Sequence, residues 1–223
     1  MRSEGTDNYN MSMLIILKKW MANLTCIGLI GGVFSACYHT SGESIKSQMA
    51  NSEPVRTAFN HCSSYGCNKV QQVAFSHEEW QAITIIFNNP PKTPVEERLV
   101  LPQAIAMMER IIGPKTGTND DIARSWTFTF LPQGQLDCID ESINTTTYLA
   151  LLNNAGFIRH HDIGKIALRG DGFDFTMLHN TATLIEHDNG HSYAIDSWFR
   201  ANGVLPDIVP LDDWSNGWKP SDQ

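Results

Sequence analysis

The sequence predicts an α+β fold, with helices first, then a helix opened by a cysteine, then antiparallel strands. Three observations predict it. Apolar residues recur at helical spacing from Trp80 to Ile112 and again from Ile139 to Leu151. Beyond Gly156 the pattern changes to short apolar and β-branched runs of strand type. Between two of those runs, Asp188-Asn189-Gly190 is a hairpin turn signal, because Asn and Gly tolerate positive φ. Helices followed by paired strands, rather than alternating with them, define an α+β architecture.

The first 36 residues do not belong to that fold. Lys18 and Lys19 precede an uncharged run from Trp20 to Ala36, which ends in the small pair Ser35-Ala36. A short basic region, an apolar stretch and a small-residue cleavage site make a secretory signal. The run is short for a spanning helix with these flanks. Met11, Met13 and Met21 are alternative starts, so Met1 to Asn10 can be an over-long beginning. Phe34-Ser35-Ala36-Cys37 resembles the bacterial lipobox, with Phe where Leu is usual, and this implies lipidation at Cys37. Residues 37–54 are polar, Ser-rich and aperiodic, as expected of a flexible tether. Residues 55–223 then form one domain. A protein of this kind faces the periplasm from the bacterial cell envelope, held by its N-terminal lipid and not by a spanning segment.

Within the domain, Ser76 followed by Glu79 is a capping box that opens a helix through Trp80, Ile83 and Phe87. Asn88-Asn89-Pro90-Pro91 ends it. Thr93-Pro94 opens a second helix that ends at Gly113-Pro114, and Pro102 is expected to kink or split it. Trp126 to Leu131 alternates as a short strand. Cys138 to Asn153 is the third helix, closed by Gly156. Strands follow at Lys165–Leu168, Phe173–Glu186 and His191–Trp198, with Leu205–Leu211 an edge strand marked by Pro206 and Pro210.

The chain carries 16 Lys and Arg against 24 Asp and Glu, a formal charge of -8. That balance argues against nucleic acid, whose binding rests on neutralising phosphates. Export assigns most of the five cysteines. Cys26 lies in the signal and Cys37 takes the lipid. Cys62 and Cys67 are close enough for a short-loop disulfide in an oxidising compartment. No second Cys/His pair stands at the spacing a zinc site needs. Cys138 is left unpaired.

Cys138 opens its helix, where free N–H groups and partial positive charge favour a thiolate and can hold an oxyanion. Its neighbours Asp137, Asp140 and Glu141 oppose a thiolate unless they point away. His179 and Asp196 lie on the two strands of the expected hairpin. Their offsets from the turn differ, so a bulge is expected to bring them opposite each other. An Asp in an apolar strand is costly unless paired, and pairing with His179 explains both residues. Thiol, imidazole and carboxylate are attacker, base and orienter for acyl chemistry. Gln135, three residues before Cys138, is a candidate oxyanion donor. His187 and His191 flank the turn as solvated residues with no metal role expected, and His160-His161-Asp162 is placed to favour a helix dipole.

In that chain order, a Cys at a helix start, a His on a strand and an Asp on the next strand resemble the transglutaminase-like superfamily of papain-like fold. The wider string, from His61-Cys62 through Cys138-Ile139-Asp140-Glu141-Ser142 to Asp196-Ser197-Trp198-Phe199, resembles proteobacterial lipoproteins of that type. The resemblance implies Cys138 as nucleophile, His179 as base and acid, and Asp196 as orienter. It implies hydrolysis or transfer of a peptide or amide acyl group through a thioester, with no cofactor. The substrate class is a peptide, a protein or a peptidoglycan-derived amide. Arylamine N-acetyltransferases share the triad logic, but an exported protein would not meet their cytoplasmic acetyl-coenzyme A. The alternative is a binding module at the cell envelope that keeps the scaffold without the chemistry.

Overall fold

The computed structural model describes residues 53–125, 134–170 and 178–221. The expected signal, Cys37 and the tether up to residue 52 lie outside the described residues. So do the expected strand Trp126–Leu131 and residues 173–177 of the strand expected from Phe173.

The domain begins with a hairpin that the sequence does not announce, β1 (Phe59–Ser63) against β2 (Lys69–Val73). Helix α1 (His77–Thr84) follows, and its capping box has both halves, Ser76 accepting from the Glu79 N–H and Glu79 accepting from the Ser76 N–H. A 3₁₀ turn (Ile85–Phe87) carries the chain to α2 (Pro94–Thr116).

Helix α2 corrects an expectation. It is one helix of 23 residues that continues through Pro102 and through Gly113-Pro114, ending at Gly117 with φ 78°. An internal proline costs about 3 kcal/mol. Burial outweighs that cost: Leu101, Ala104, Ile105, Met108 and Ile112 on this helix are fully buried, and tertiary packing of such a face supplies most helical stability. Past Pro114, the Thr116 hydroxyl donates to the Ile112 carbonyl at 3.0 Å and steadies the last turn. Gly113 has a steric reason to be glycine, since a Cβ there would come within 2.9 Å of the Asn119 Cα.

Helix α3 (Cys138–Asn154) starts where expected, with Asp137 as its N-cap. Its face of Tyr148, Leu149 and Leu152 packs into one core with α2 and with Ala182, Leu184 and Ile195 of the sheet. That sheet is antiparallel throughout. It comprises β3 (His161–Ile163), β4 (Ala167–Arg169), β5 (His179–Glu186), β6 (Ser192–Asp196) and β7 (Asp207–Pro210). The order is β3-β5-β6-β7, with β4 also paired to β5. The expected turn closes the β5–β6 hairpin, with Gly190 at φ 72°. The proline-marked edge strand is β7, which among the described residues pairs only with β6. A short helix α4 (Leu211–Ser215) ends the described chain and buries Trp214 completely. Mixed helices and antiparallel sheet make this an α+β protein. No helix among the described residues is long and apolar enough to cross a membrane.

Candidate active site

His179 opens β5 and Asp196 closes β6, and the pairing between them is regular. Ile185 faces Ser192 and Ala182 faces Ile195. Continued one step, that register sets Asp196 opposite Thr181, two residues from His179 and on the same face. The two are therefore diagonal neighbours, within reach of an aromatic side chain. The expected bulge is not needed. His179 Nε2 lies 2.6 Å from Asp196 Oδ2, both side chains being 1% exposed. The Trp214 indole N–H donates to the same oxygen at 2.7 Å.

Two polar atoms in this arrangement have no partner among the described residues: His179 Nδ1 and Asp196 Oδ1 are both buried. An Nε2–H donated to Asp196 leaves Nδ1 with its lone pair. The imidazole is held by aromatic rings, Trp198 at 4.7 Å, Phe199 at 5.4 Å and Trp214 at 5.5 Å between centroids. Arg169, which pairs with His179 across β4 and β5, lies over the Trp214 ring at 4.5 Å. Its guanidinium donates to the carbonyls of Trp214 and Trp218, so α4 is clamped against the His–Asp pair.

Cys138 is the free cysteine of the described residues. It is buried in a cluster with Trp198 and Phe199, the rings that also flank His179. The Asn180 side-chain amide points at its Sγ from 3.9 Å. Burial, with the charges of Asp137 and Asp196, pushes the thiol up to about 11, against the pull of Asn180's N–H groups. Thiol and imidazole are not hydrogen-bonded to each other in this structure, since Nδ1 has no partner.

The carboxylates of Asp137 and Asp140 accept from backbone N–H groups, although the charge of Asp137 still reaches the thiol. Cys62 and Cys67 form the expected disulfide. The loop it closes holds four consecutive left-handed residues, Ser64, Tyr65, Gly66 and Cys67, at φ 71°, 60°, 66° and 58°. Successive N–H groups in such a turn form a concave anion cradle. Here they point at carboxylates of α3's first turn. Tyr65 and Cys67 donate to Asp140 at 2.8 and 2.7 Å, and Gly66 donates to Asp137 at 2.9 Å. Asp137 also caps the helix by accepting from Ile139 and Asp140. Asn144 ties the loop further, bonding both the N–H and the carbonyl of Cys62. The disulfide loop therefore fixes the helix turn that carries the thiol. Opening the bond by reduction, or by the double change Cys62→Ser and Cys67→Ser, is expected to cost about 2 kcal/mol through loop entropy alone. Thermal unfolding with and without dithiothreitol measures it, and an unchanged midpoint would show that the loop holds without its bond.

Gln135 is placed differently from the expectation. Its amide donates to the Asp120 carbonyl at 2.9 Å and accepts from the Ile122 N–H at 3.1 Å. Both ends staple the 120–122 loop, giving a backbone N–H and a carbonyl of that loop their partners. His160-His161 is also corrected. His161 is buried in β3 with both ring nitrogens engaged, Nδ1 with Glu97 at 2.8 Å and Nε2 with Arg98 at 2.9 Å. His187 pairs with Asp162 at 3.2 Å on the surface. Among the described residues no group of three His, Cys, Asp or Glu side chains is arranged to hold a metal ion.

Trp214 and Asn180 are the site residues that sequence reasoning missed. Asn180 could have been found from its place beside His179. Trp214 carried no local signal, lying in a helix of five residues. No protein-family model, curated protein or solved structure matches the chain.

Proposed function

We propose that this is a thiol enzyme of the transglutaminase-like, papain-like kind. Cys138 is its nucleophile, His179 its base and acid, and Asp196 its orienter. It acts on a peptide, protein or peptidoglycan-derived amide at the cell envelope, and Cys37 carries the lipid anchor. One observation supports the reading above the others. His179 is bound to Asp196 through Nε2, its buried Nδ1 has no partner among the described residues, and the Trp198 and Phe199 rings beside it also pack on a free thiol. A buried polar atom left unpaired costs about 1–3 kcal/mol. His161, equally buried, has no such atom, whereas buried His61 has one at Nε2, so what sets His179 apart is the carboxylate on its other nitrogen and the free thiol close by.

Because the thiol is held neutral at rest, proton transfer accompanies attack. As Sγ bonds to the substrate carbonyl carbon, its proton passes to His179 Nδ1. Asp196, facing Nε2, stabilises the imidazolium that forms. The tetrahedral intermediate collapses by breaking the C–N bond, and Nδ1–H protonates the departing amine. The thioester then takes water, or an amine, whose proton goes to Nδ1. The acyl group leaves and the proton returns to Sγ. Water as acceptor makes a peptidase or amidase, and an amine makes a cross-linking acyltransferase.

Cys138→Ala is expected to abolish both peptide hydrolysis and incorporation of a fluorescent amine into a protein substrate, while moving the unfolding midpoint little. Retained activity would end the proposal. A second reading, a binding module without chemistry, is favoured by the neutral thiol and by the lack of a Sγ–Nδ1 hydrogen bond. Alkylation by iodoacetamide across pH separates the two. An enzyme loses at least tenfold in labelling rate at pH 7 on His179→Ala, whereas a bystander thiol reacts only toward pH 11 and ignores the substitution.

A further inference from the structure

We infer that Asn180 is a catalytic residue, the side-chain donor of the oxyanion hole, paired with the backbone N–H of Cys138. The inference rests on the thiol-enzyme reading above and adds the group that receives the developing negative charge.

Attack by Sγ on a carbonyl turns its oxygen into an oxyanion. Stabilising that charge requires donors about 2.7–3.1 Å from where the oxygen will sit. The Gln135 amide is occupied at both ends by the 120–122 loop. The Asn180 amide meets the requirement instead. Its Nδ2 donates toward Sγ from 3.9 Å, long for a bond to the thiol itself but close to where an oxygen on a Sγ-bound carbon would lie. Its backbone is fixed by its place in β5 next to His179, facing Leu168 of β4 in register. His179 reaches Asp196 while the next residue along β5, Asn180, reaches the thiol. The second donor follows from helix geometry. Cys138 is the first residue of α3, so its N–H has no acceptor within the helix. The neighbouring N–H groups of Ile139 and Asp140 are held by the Asp137 side chain and that of Glu141 by the Asp137 carbonyl.

The test uses two probes on the intact protein. A dipeptide aldehyde adds to a catalytic thiol and places a tetrahedral oxygen in the hole, whereas iodoacetamide alkylates the thiol without forming an oxyanion. In Asn180→Ala and in the near-isosteric Asn180→Asp, which has no N–H to give, aldehyde affinity is expected to fall at least thirtyfold. On a cleaved amide, kcat is expected to fall on the order of 10²–10³-fold with KM within a few-fold. The iodoacetamide rate, which depends on the thiolate that Asn180 also favours but forms no oxyanion, is expected to fall less than the aldehyde affinity, and the unfolding midpoint serves as the check on folding. If the wild type binds the aldehyde and both variants bind it equally well, Asn180 is overturned and the thiol-enzyme reading stands. If the aldehyde never reacts with Cys138 in the wild type, that reading falls and takes this one with it.

Discussion

Asp196→Asn is expected to lower kcat/KM on the order of 10⁴-fold while leaving the fold nearly as stable as before. The Asp196 Oδ2 accepts two donors, His179 Nε2–H at 2.6 Å and Trp214 Nε1–H at 2.7 Å. An asparagine carbonyl at the Oδ2 position can keep both donors, which sets its NH₂ at the Oδ1 position, where it meets no acceptor among the described residues. What is lost is the negative charge beneath the imidazolium that forms when Nδ1 takes the Cys138 proton. In the best-studied serine protease the same exchange costs about that factor. Asp196→Ala separates the electrostatic role from the structural one. It leaves a buried indole N–H and a buried ring nitrogen without acceptors, at about 1–3 kcal/mol for each group. Parallel kcat/KM and thermal unfolding measurements decide it. Asp196→Asn within tenfold of wild type would remove Asp196 from the mechanism.

The site was legible in part, and the division follows the range of the interactions involved. The capping box at Ser76–Glu79, the Asp137-Cys138 helix start and the Asp188-Asn189-Gly190 turn are set by residues within four positions of one another. The His179–Asp196 pair was legible because an unexplained carboxylate in an apolar strand calls for a partner. Its geometry was misjudged because counting from the turn ignores the diagonal contacts of a twisted antiparallel pair. The rest depends on contacts distant in sequence. The β1–β2 connection places Ser64, Tyr65 and Cys67 at positive φ, which local preference disfavours. It is held there by the disulfide and by Asp137 and Asp140, more than seventy positions away. Trp214 is fixed by Asp196 and Arg169. Pro102 failed as a breaker because the helix face around it is buried on all of its core positions.

Stability is expected to fall as pH rises from 5 to 8.5, contrary to the usual gain that carboxylates give above their pKa. Four acids are buried on or beside α3, one of them Asp140, pushed up to about 8 by burial and by the charge of Asp137. Glu109 on α2 is pushed up to about 8 by burial and by the charge of Asp121. Asp121 is pushed up to about 7 by burial and by Asp137. Glu141 on α3 is raised by burial and by Glu109, Asp121, Asp140 and Asp196. The folded protein therefore holds protons that the unfolded chain releases near pH 4. Stability from this source is complete below that pH and is lost as pH rises through 7 to 8. The four share one field, so their effects do not add, and a drop of about 10 °C in midpoint between pH 5 and 8.5 is expected. Glu109→Gln keeps an acceptor for the Gly203 N–H and removes the titration, so its midpoint should vary less with pH. A wild-type midpoint that is flat or rising over that range would show these groups to be ionised in the fold. The same cluster bears on the chemistry. Cys138 already meets the charges of Asp137 and Asp196. Neutral carboxyls beneath α3 spare it more, so the proton inventory that steadies the fold at mildly acidic pH also keeps the thiol within reach of His179. Above pH 8 deprotonating the thiol becomes easier only as the helix that presents it loses its support, and activity should decline there together with the midpoint.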